Sequence, residues 1–311
     1  MSIPSFNKPK ILITGANGLL GQKLVEQLVA QGNYAVIATG RGACRLSGAG
    51  FTYQSLDIEN EQEVEENLAR LRPDVLIHGA AMTHVDDCEK NQEGCYRANV
   101  LATSYLLRAA EKIGSHFIFV STDFIFSGED GHNPYTEEAL PDPVNYYGQT
   151  KLEGEELIKR STLKWAIART VLVYGLANDL SRSNIILWVK SSLEAGKQIQ
   201  VVDDQERTPT LAEDLAAGCI LIAEQGATGV FNISGSELLT PYDMAMQTAD
   251  YFGLNKELIV RTDSTRFKQP ARRPMKTGFI IQKAIDQLGY RPKTFMEGIG
   301  ILAKQISKAS A

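Results

Sequence analysis

Short apolar runs alternate with helical patterns through the first half of this chain, at 10–14, 34–39, 51–56, 74–78, 116–121 and 165–173. The segments 18–28, 60–71, 98–113 and 147–159 read as helices between them. Runs this short and this apolar are strands buried on both faces, and their alternation with helices builds βαβ units around a parallel sheet. Beyond about Tyr174 strands become sparse, and helical stretches at 185–195, 212–224 and 242–252 dominate. The expectation is a doubly wound α/β sheet over residues 1–174 and a smaller, mainly helical C-terminal lobe over 175–311. The boundary is soft, with room for the two parts to interleave.

Composition excludes several function classes. With 311 residues and 43% hydrophobic side chains, the chain has ample length for a large core. A net charge of −5 gives no pull toward nucleic acid or an anionic membrane surface. No apolar run approaches the ~20 residues that span a bilayer, and residues 1–9 lack the apolar core of a signal peptide. Cys44, Cys88, Cys95 and Cys219 form no C-x-x-C pair, so neither a zinc site nor a disulfide framework is indicated. These features predict a cytoplasmic chain with reduced thiols, no nucleic-acid or membrane partner and no side-chain metal site.

The loop Gly15-Ala16-Asn17-Gly18-Leu19-Leu20-Gly21 follows the first strand and opens the first helix. Glycines there let the backbone turn tightly and approach a pyrophosphate, whose charge the helix N-terminus favours. The spacing is G-x-x-G-x-x-G rather than G-x-G-x-x-G, and a plain strand-to-helix turn is the alternative. The flanking strand and helix favour dinucleotide binding on a Rossmann-type sheet, with Asn17, Leu19 and Leu20 counted in the cradle. NAD-preferring sites carry an acid near the end of the second strand. Here that segment reads Thr39-Gly40-Arg41-Gly42-Ala43. Arg41 suits a 2′-phosphate, so NADPH is the expected cofactor and NADH the alternative. The other reading of Arg41 is a solvated loop residue. Asp57 follows the third strand, where it either accepts from an adenine amine or caps the helix beginning near Glu59.

Tyr147 and Lys151 stand four residues apart on a helix, so their side chains share a face. A nearby ammonium lowers the phenol pKa toward working pH. The phenol then hands its proton to a ketone oxygen as hydride reaches the carbon. This spacing is common by chance; its position just after the fifth strand promotes it. That strand ends in Ser121-Thr122-Asp123-Phe124, at the rim where such folds bind ligands. Thr122 either hydrogen-bonds the substrate carbonyl or caps the strand end.

These motifs together resemble the extended short-chain dehydrogenase/reductases, and within them the dTDP-4-dehydrorhamnose reductases most. The resemblance runs from Ile11 to about Pro292. It includes the glycine loop, Ala80-Ala81-Met82-Thr83-His84-Val85-Asp86 and Ser121-Thr122-Asp123-Phe124-Ile125-Phe126-Ser127-Gly128. It continues through Asn145-Tyr146-Tyr147-Gly148-Gln149-Thr150-Lys151-Leu152-Glu153-Gly154-Glu155, Arg207-Thr208-Pro209-Thr210 and Ala271-Arg272-Arg273-Pro274. It implies a catalytic triad of Thr122, Tyr147 and Lys151, with Lys151 also on the nicotinamide ribose. It implies that Ala80, Ala81, Thr83 and Asn99 line the cofactor groove, with Asp57 and Ile58 around the adenine. Asp123, Phe124, Arg207 and Arg273 would lie near a nucleotide-sugar substrate. The implied reaction reduces the C4 ketone of dTDP-4-dehydro-β-L-rhamnose to dTDP-L-rhamnose. A homodimer is implied through the helices at 98–113 and 147–159. A Mg2+ ion, used by some relatives, is left open.

One departure stands out. Those reductases usually carry tyrosine where this chain has Phe124, which removes a hydroxyl from the substrate side. Nucleotide-sugar 4,6-dehydratases need aspartate and then glutamate after the threonine, and Phe124 cannot do acid-base work. Two alternatives stay open: a non-catalytic regulatory subunit similar to the β-subunit of methionine adenosyltransferase, and a nucleotide-sugar epimerase.

Other residues invite functional readings. Asp86, Asp87 and Glu89 form an acidic cluster that reads better as a solvated helix start than as a metal site. His78 and His84 flank the Ala80-Ala81 pair and read as core or groove-wall residues. Arg266, Lys268, Arg272 and Arg273 surround Pro270 and Pro274, as a diphosphate ligand set or as a solvated basic loop. Trp165 and Trp188 carry no signal beyond packing.

Overall fold

A computed structural model describes residues 8–129, 131–178 and 184–309. Residues 1–7, most of the segment read above against a signal peptide, lie outside the described residues. Strand β1 (Lys10–Thr14) leads through α1 (Leu19–Gln31) to β2 (Ala35–Gly40) and β3 (Phe51–Ser55). Helix α2 (Glu61–Leu71) and β4 (Val75–His78) follow. Two short helices, α3 (Val85–Lys90) and α4 (Gln92–Tyr96), precede a π-helical turn (Arg97–Leu101) and α5 (Ala102–Ile113). Then come β5 (His116–Thr122), α6 (Tyr146–Lys159), β6 (Trp165–Thr170) and β7 (Val173–Tyr174). The remainder is α7 (Ile185–Glu194), β8 (Ile199–Val202), β9 (Thr210–Leu211), α8 (Ala212–Gln225) and β10 (Gly229–Asn232). It closes with α9 (Pro241–Phe252), β11 (Ile259–Thr262), α10 (Gln282–Leu288) and α11 (Phe295–Ala309).

Seven strands form one sheet in the order β10-β6-β5-β4-β1-β2-β3, and every neighbouring pair is parallel. The two-residue period of a strand sends alternate side chains to opposite faces. Ile11 and Ile13 join Leu24 and Leu28 of α1 and Leu215 and Ile222 of α8 on one face. Leu12 joins Val64 and Leu68 of α2 and Leu106 and Ala110 of α5 on the other. Each of the buried Val, Leu and Ile side chains among these contributes about 1.5–3 kcal/mol. Both faces are thus covered, the Rossmann-type arrangement that the alternating pattern predicts. Strand order reverses between β1 and β4, which opens a crevice at their carboxyl ends.

Two sequence expectations need correction. The strand read over 165–173 stops at Thr170, because Leu172 takes φ 36°, a left-handed conformation that breaks a strand. The helix read over 98–113 opens with the π-helical turn, which carries the buried Asn99.

After Tyr174, β8 and β11 pair in parallel and pack with α7 and α9 around Val189, Leu193, Val201 and Ala245. The same stretch also returns to the large sheet. Helix α8 covers α1, with Gln27 Nε2 donating to Glu213 O at 2.8 Å. Strand β10 pairs with β6, from Gly229 beside Ala166 to Asn232 beside Arg169.

Candidate active site

The crevice begins where β1 ends. Gly15 holds φ 74°, and a Cβ there would lie 2.9 Å from Ala80 Cα. Only glycine lets the two backbones meet this closely. Thr14 Oγ1 accepts from Ala80 N at 3.2 Å and fixes that approach. Gly18 N donates to Gly15 O at 2.9 Å, and Gly21 packs on the backbone of Ala16, so all three glycines serve one turn. Asn17 braces the next loop: its Nδ2 donates to Ala43 O at 3.0 Å and its Oδ1 accepts from Arg45 N at 2.9 Å. Leu20 packs against the core and Leu19 lies beside Gly175.

A groove of about 440 Å³ runs from this turn, lined by Gly15, Arg41, Asp57, Ile58, Ala80, Ala81 and Thr83. Arg41 is 77% exposed, with Nη1 3.8 Å from Glu59 Oε1. Glu59, marked in the sequence only as a helix start, also meets Arg97 at 3.3 Å, so one carboxylate faces two guanidiniums along the groove. Asp57 Oδ1 accepts from Glu59 N at 3.0 Å, and the helix cap is Asn60 instead. Asn99 does not line the groove. It is 1% exposed, takes Met82 N at 2.8 Å and donates to Met82 O and to Thr150 Oγ1. It therefore holds the groove wall from behind.

Helix α6 approaches the end of β5 closely. Asn145 caps it, its Oδ1 accepting from Gly148 N at 2.9 Å. A Cβ at Gly148 would lie 2.1 Å from Phe124 O, so glycine is required beside Tyr147. This contact brings Tyr147 toward Thr122, whose hydroxyl acts to lower the phenol pKa. Thr122 Oγ1 also donates to Asp123 Oδ1 at 3.1 Å and accepts from Phe124 N at 3.2 Å, so it caps the strand end as well. Tyr147 and Lys151 are both buried. Lys151 Nζ sits 3.8 Å above the centre of the Phe119 ring.

The electrostatics differ from the simple expectation. Burial pushes the Tyr147 phenol well up, against the Thr122 hydroxyl, and Asp123 adds to the rise. Burial also lowers Lys151 to about 7, opposed by the Glu155 carboxylate. Low dielectric penalises tyrosinate and ammonium alike, and here that cost exceeds the opposing effects of Thr122 on the phenol and Glu155 on the ammonium.

Beyond Phe124 lies a cleft of about 240 Å³, with Leu172, Val202, Phe267, Arg207 and Arg273 in its wall. Arg207 is largely committed: Nη1 donates to Glu206 O and Met275 O at 2.7 Å, and Nη2 to Pro274 O at 2.5 Å. Its Nε lies 3.6 Å from Asp123 Oδ2. Burial raises the Asp123 carboxyl, opposed by Arg207 and by hydrogen bonds from Thr277 and Thr122. Arg273 Nη1 donates to Asp86 Oδ1 at 2.8 Å, and Ala271 N donates to the same oxygen. Asp86 thus tethers the 271–273 loop. Asp87 pairs with His84 Nδ1 at 3.1 Å, and Glu89 Oε2 accepts from Tyr146 N at 3.1 Å. Arg272 pairs with Glu129, while Arg266 and Lys268 are exposed. His78 is a core residue between the Thr14 and Thr103 hydroxyls. All four cysteines are free, with Cys44 exposed and the others buried. Among the described residues no helix is long and apolar enough to cross a membrane.

A parallel seven-stranded sheet with a glycine turn at its switch point is the frame of an extended short-chain dehydrogenase/reductase, the class to which this chain belongs. More narrowly, the chain belongs to the family described as RmlD substrate binding domain, whose model matches residues 9–307. It is 31% identical over 301 residues to the spore coat polysaccharide biosynthesis protein SpsK of Bacillus subtilis (strain 168), covering 96% of this chain and 99% of that protein. It is 31% identical over 259 residues to methionine adenosyltransferase 2 subunit beta of Rattus norvegicus, covering 82% of this chain and 74% of that one. The crystal structure of dTDP-4-dehydrorhamnose reductase from Bacillus anthracis in complex with NADP superposes with a TM-score of 0.83. The two are 26% identical, with 96% of this chain and 99% of that chain covered.

Proposed function

We propose that this chain is an NADPH-dependent reductase of the C4 ketone in a nucleotide-linked 6-deoxy sugar, turning dTDP-4-dehydrorhamnose into dTDP-L-rhamnose. The observation that carries the reading is Tyr147, one turn before Lys151 on α6 and in one apolar cluster with Phe124 of the cleft and Met82 of the groove. The groove suits a dinucleotide: Gly15, at the head of the glycine turn, lines it, and Arg41 presents an exposed guanidinium on the same wall, suited to a 2′-phosphate. Reduced nicotinamide supplies the hydride when bound. Tyr147 holds the proton and gives it to the ketone oxygen, and Thr122 orients that oxygen through its hydroxyl. Lys151 contributes positive charge beside the phenol and binds the ribose. Asp57 and Ile58 flank the adenine, while Asp123, Phe124, Arg207 and Arg273 meet the sugar nucleotide. In this proposal residues 1–174 carry the cofactor, 175–311 the substrate, and two copies associate through α5 and α6.

The test is loss of reduced-nicotinamide absorbance with dTDP-4-dehydrorhamnose, with NADPH and NADH in parallel. Turnover faster with NADPH supports the reading. NADPH binding without turnover overturns it and favours a second reading, a non-catalytic regulatory subunit. The similarity to methionine adenosyltransferase 2 subunit beta motivates that alternative. Capture of a methionine adenosyltransferase catalytic subunit by the purified chain is its test. Sedimentation as a strict monomer would contradict the dimer.

A further inference from the structure

We infer that Glu155, clamped by Arg169, is a positioning residue that sets the charge of Lys151 one helical turn away. The inference rests on the catalytic reading of Lys151 above. Glu155 and Arg169 are 0% and 2% exposed. Arg169 Nε and Nη2 donate to the two carboxylate oxygens at 2.9 and 2.7 Å, a forked pair. Arg169 Nη1 donates to Glu137 O at 3.0 Å, and Lys159 Nζ reaches Glu155 Oε2 at 3.3 Å.

Burying an ion pair is a poor way to gain stability, since desolvation offsets most of the attraction and an apolar pair would serve as well. The location of this pair supplies a reason. Glu155 follows Lys151 by four residues on α6, so the two side chains share a face. The other groups facing Lys151 are Tyr147 on the same helix, Phe119 on β5, His78 on β4 and Cys95 on α4. His78 is held neutral by burial, and Asp123 is engaged by Arg207 and Thr277. Glu155 is therefore the carboxylate that opposes the loss of the Lys151 proton. Burial pushes Glu155 up, but the Arg169 hydrogen bonds and charge hold it below the ordinary carboxylate range. Arg169 keeps the carboxylate ionised, and the ionised carboxylate keeps the neighbouring ammonium charged near neutral pH.

The test is a pH titration of the Lys151 side chain by NMR in the full chain carrying isotope-labelled lysine. The resonance is assigned by its loss in Lys151→Arg. In Glu155→Gln the midpoint should fall by about one pH unit or more, because an opposite charge is lost and Arg169 stays. In the double variant Glu155→Gln, Arg169→Gln the midpoint should fall less, and in Glu155→Asp it should stay near that of the parent chain. A midpoint unmoved in folded Glu155→Gln, or in the double variant should the single fail to fold, overturns the inference. A fall in Glu155→Asp as deep as in Glu155→Gln also overturns it, since packing and not charge would then be at work. The titration needs neither substrate nor cofactor. A shifted midpoint without turnover of the keto sugar therefore counts against the proposed reaction alone.

Discussion

Phe124 stands edge-on to Tyr147, with ring centroids 5.8 Å apart and planes at 70°. The residue after Asp123 therefore gives the phenol an apolar wall and offers no acid. Tyr147→Phe keeps this ring contact and deletes only the hydroxyl. Turnover should fall by roughly 10²–10⁴-fold, the usual worth of a positioned proton donor. NADPH affinity should stay within about tenfold, or about 1.4 kcal/mol. Steady-state rates and a binding titration measure both, and full retained activity would remove Tyr147 from the chemistry.

Gly15 meets Ala80 backbone to backbone in a left-handed conformation. Gly15→Ala should destabilise the fold by about 1–3 kcal/mol through strain and forced separation of β1 and β4. NADPH binding should fall with it, because the cradle opens. Thermal melting and a cofactor titration read the two effects. Undiminished affinity would show that the turn is only a turn.

Arg41 is exposed and loosely paired with Glu59, so removing it should leave stability nearly unchanged. Arg41→Ala should weaken NADPH by about tenfold to a hundredfold, the worth of a hydrogen bond to a charged group. NADH should be affected far less. Equal losses for the two cofactors would count against a role in reading the 2′-phosphate.

His78 predicts an acid-sensitive fold. Burial lowers it from 6.5 to about 3, with the Lys151 charge acting in the same direction. The unfolded chain takes up a proton that the native state refuses, so stability falls as pH drops from about 6.5 toward about 3. His116, lowered to about 4 chiefly by burial, adds a slope of the same sign. His78→Gln should flatten part of that slope in denaturant titrations between about pH 7 and pH 5. An identical slope in the variant would sink the assignment.

The sheet was legible because its signal is local. Strands β1, β2, β4 and β5 are largely apolar runs closed by a glycine, a turn or a helix start, whereas the edge strand β3 is polar and only partly buried. The order Tyr147, Lys151, Glu155 could likewise have been extended as a ladder at four-residue spacing, yet nothing local distinguishes a buried Glu155 from an exposed Glu156. Through-space relationships escaped entirely. Glu59 meets Arg41 only because the turn after β3 lies beside the end of β2. Asn99 turns inward because the π-helical turn rotates it toward Thr150. The phenol and ammonium shifts depend on how deeply α6 is buried, which its spacing does not encode.

Strand β6 has a partner on its outer side only because β10 arrives from much later in the chain. During synthesis the emerging sheet must therefore wait, with the amides and carbonyls of 165–170 unprotected, until residues 229–232 have left the ribosome. An uncapped strand border of this kind recruits other strands, including those of neighbouring nascent copies. The polypeptide is thus most vulnerable to misassembly midway through its manufacture, and a slow stretch of translation before β10 would lengthen that exposure.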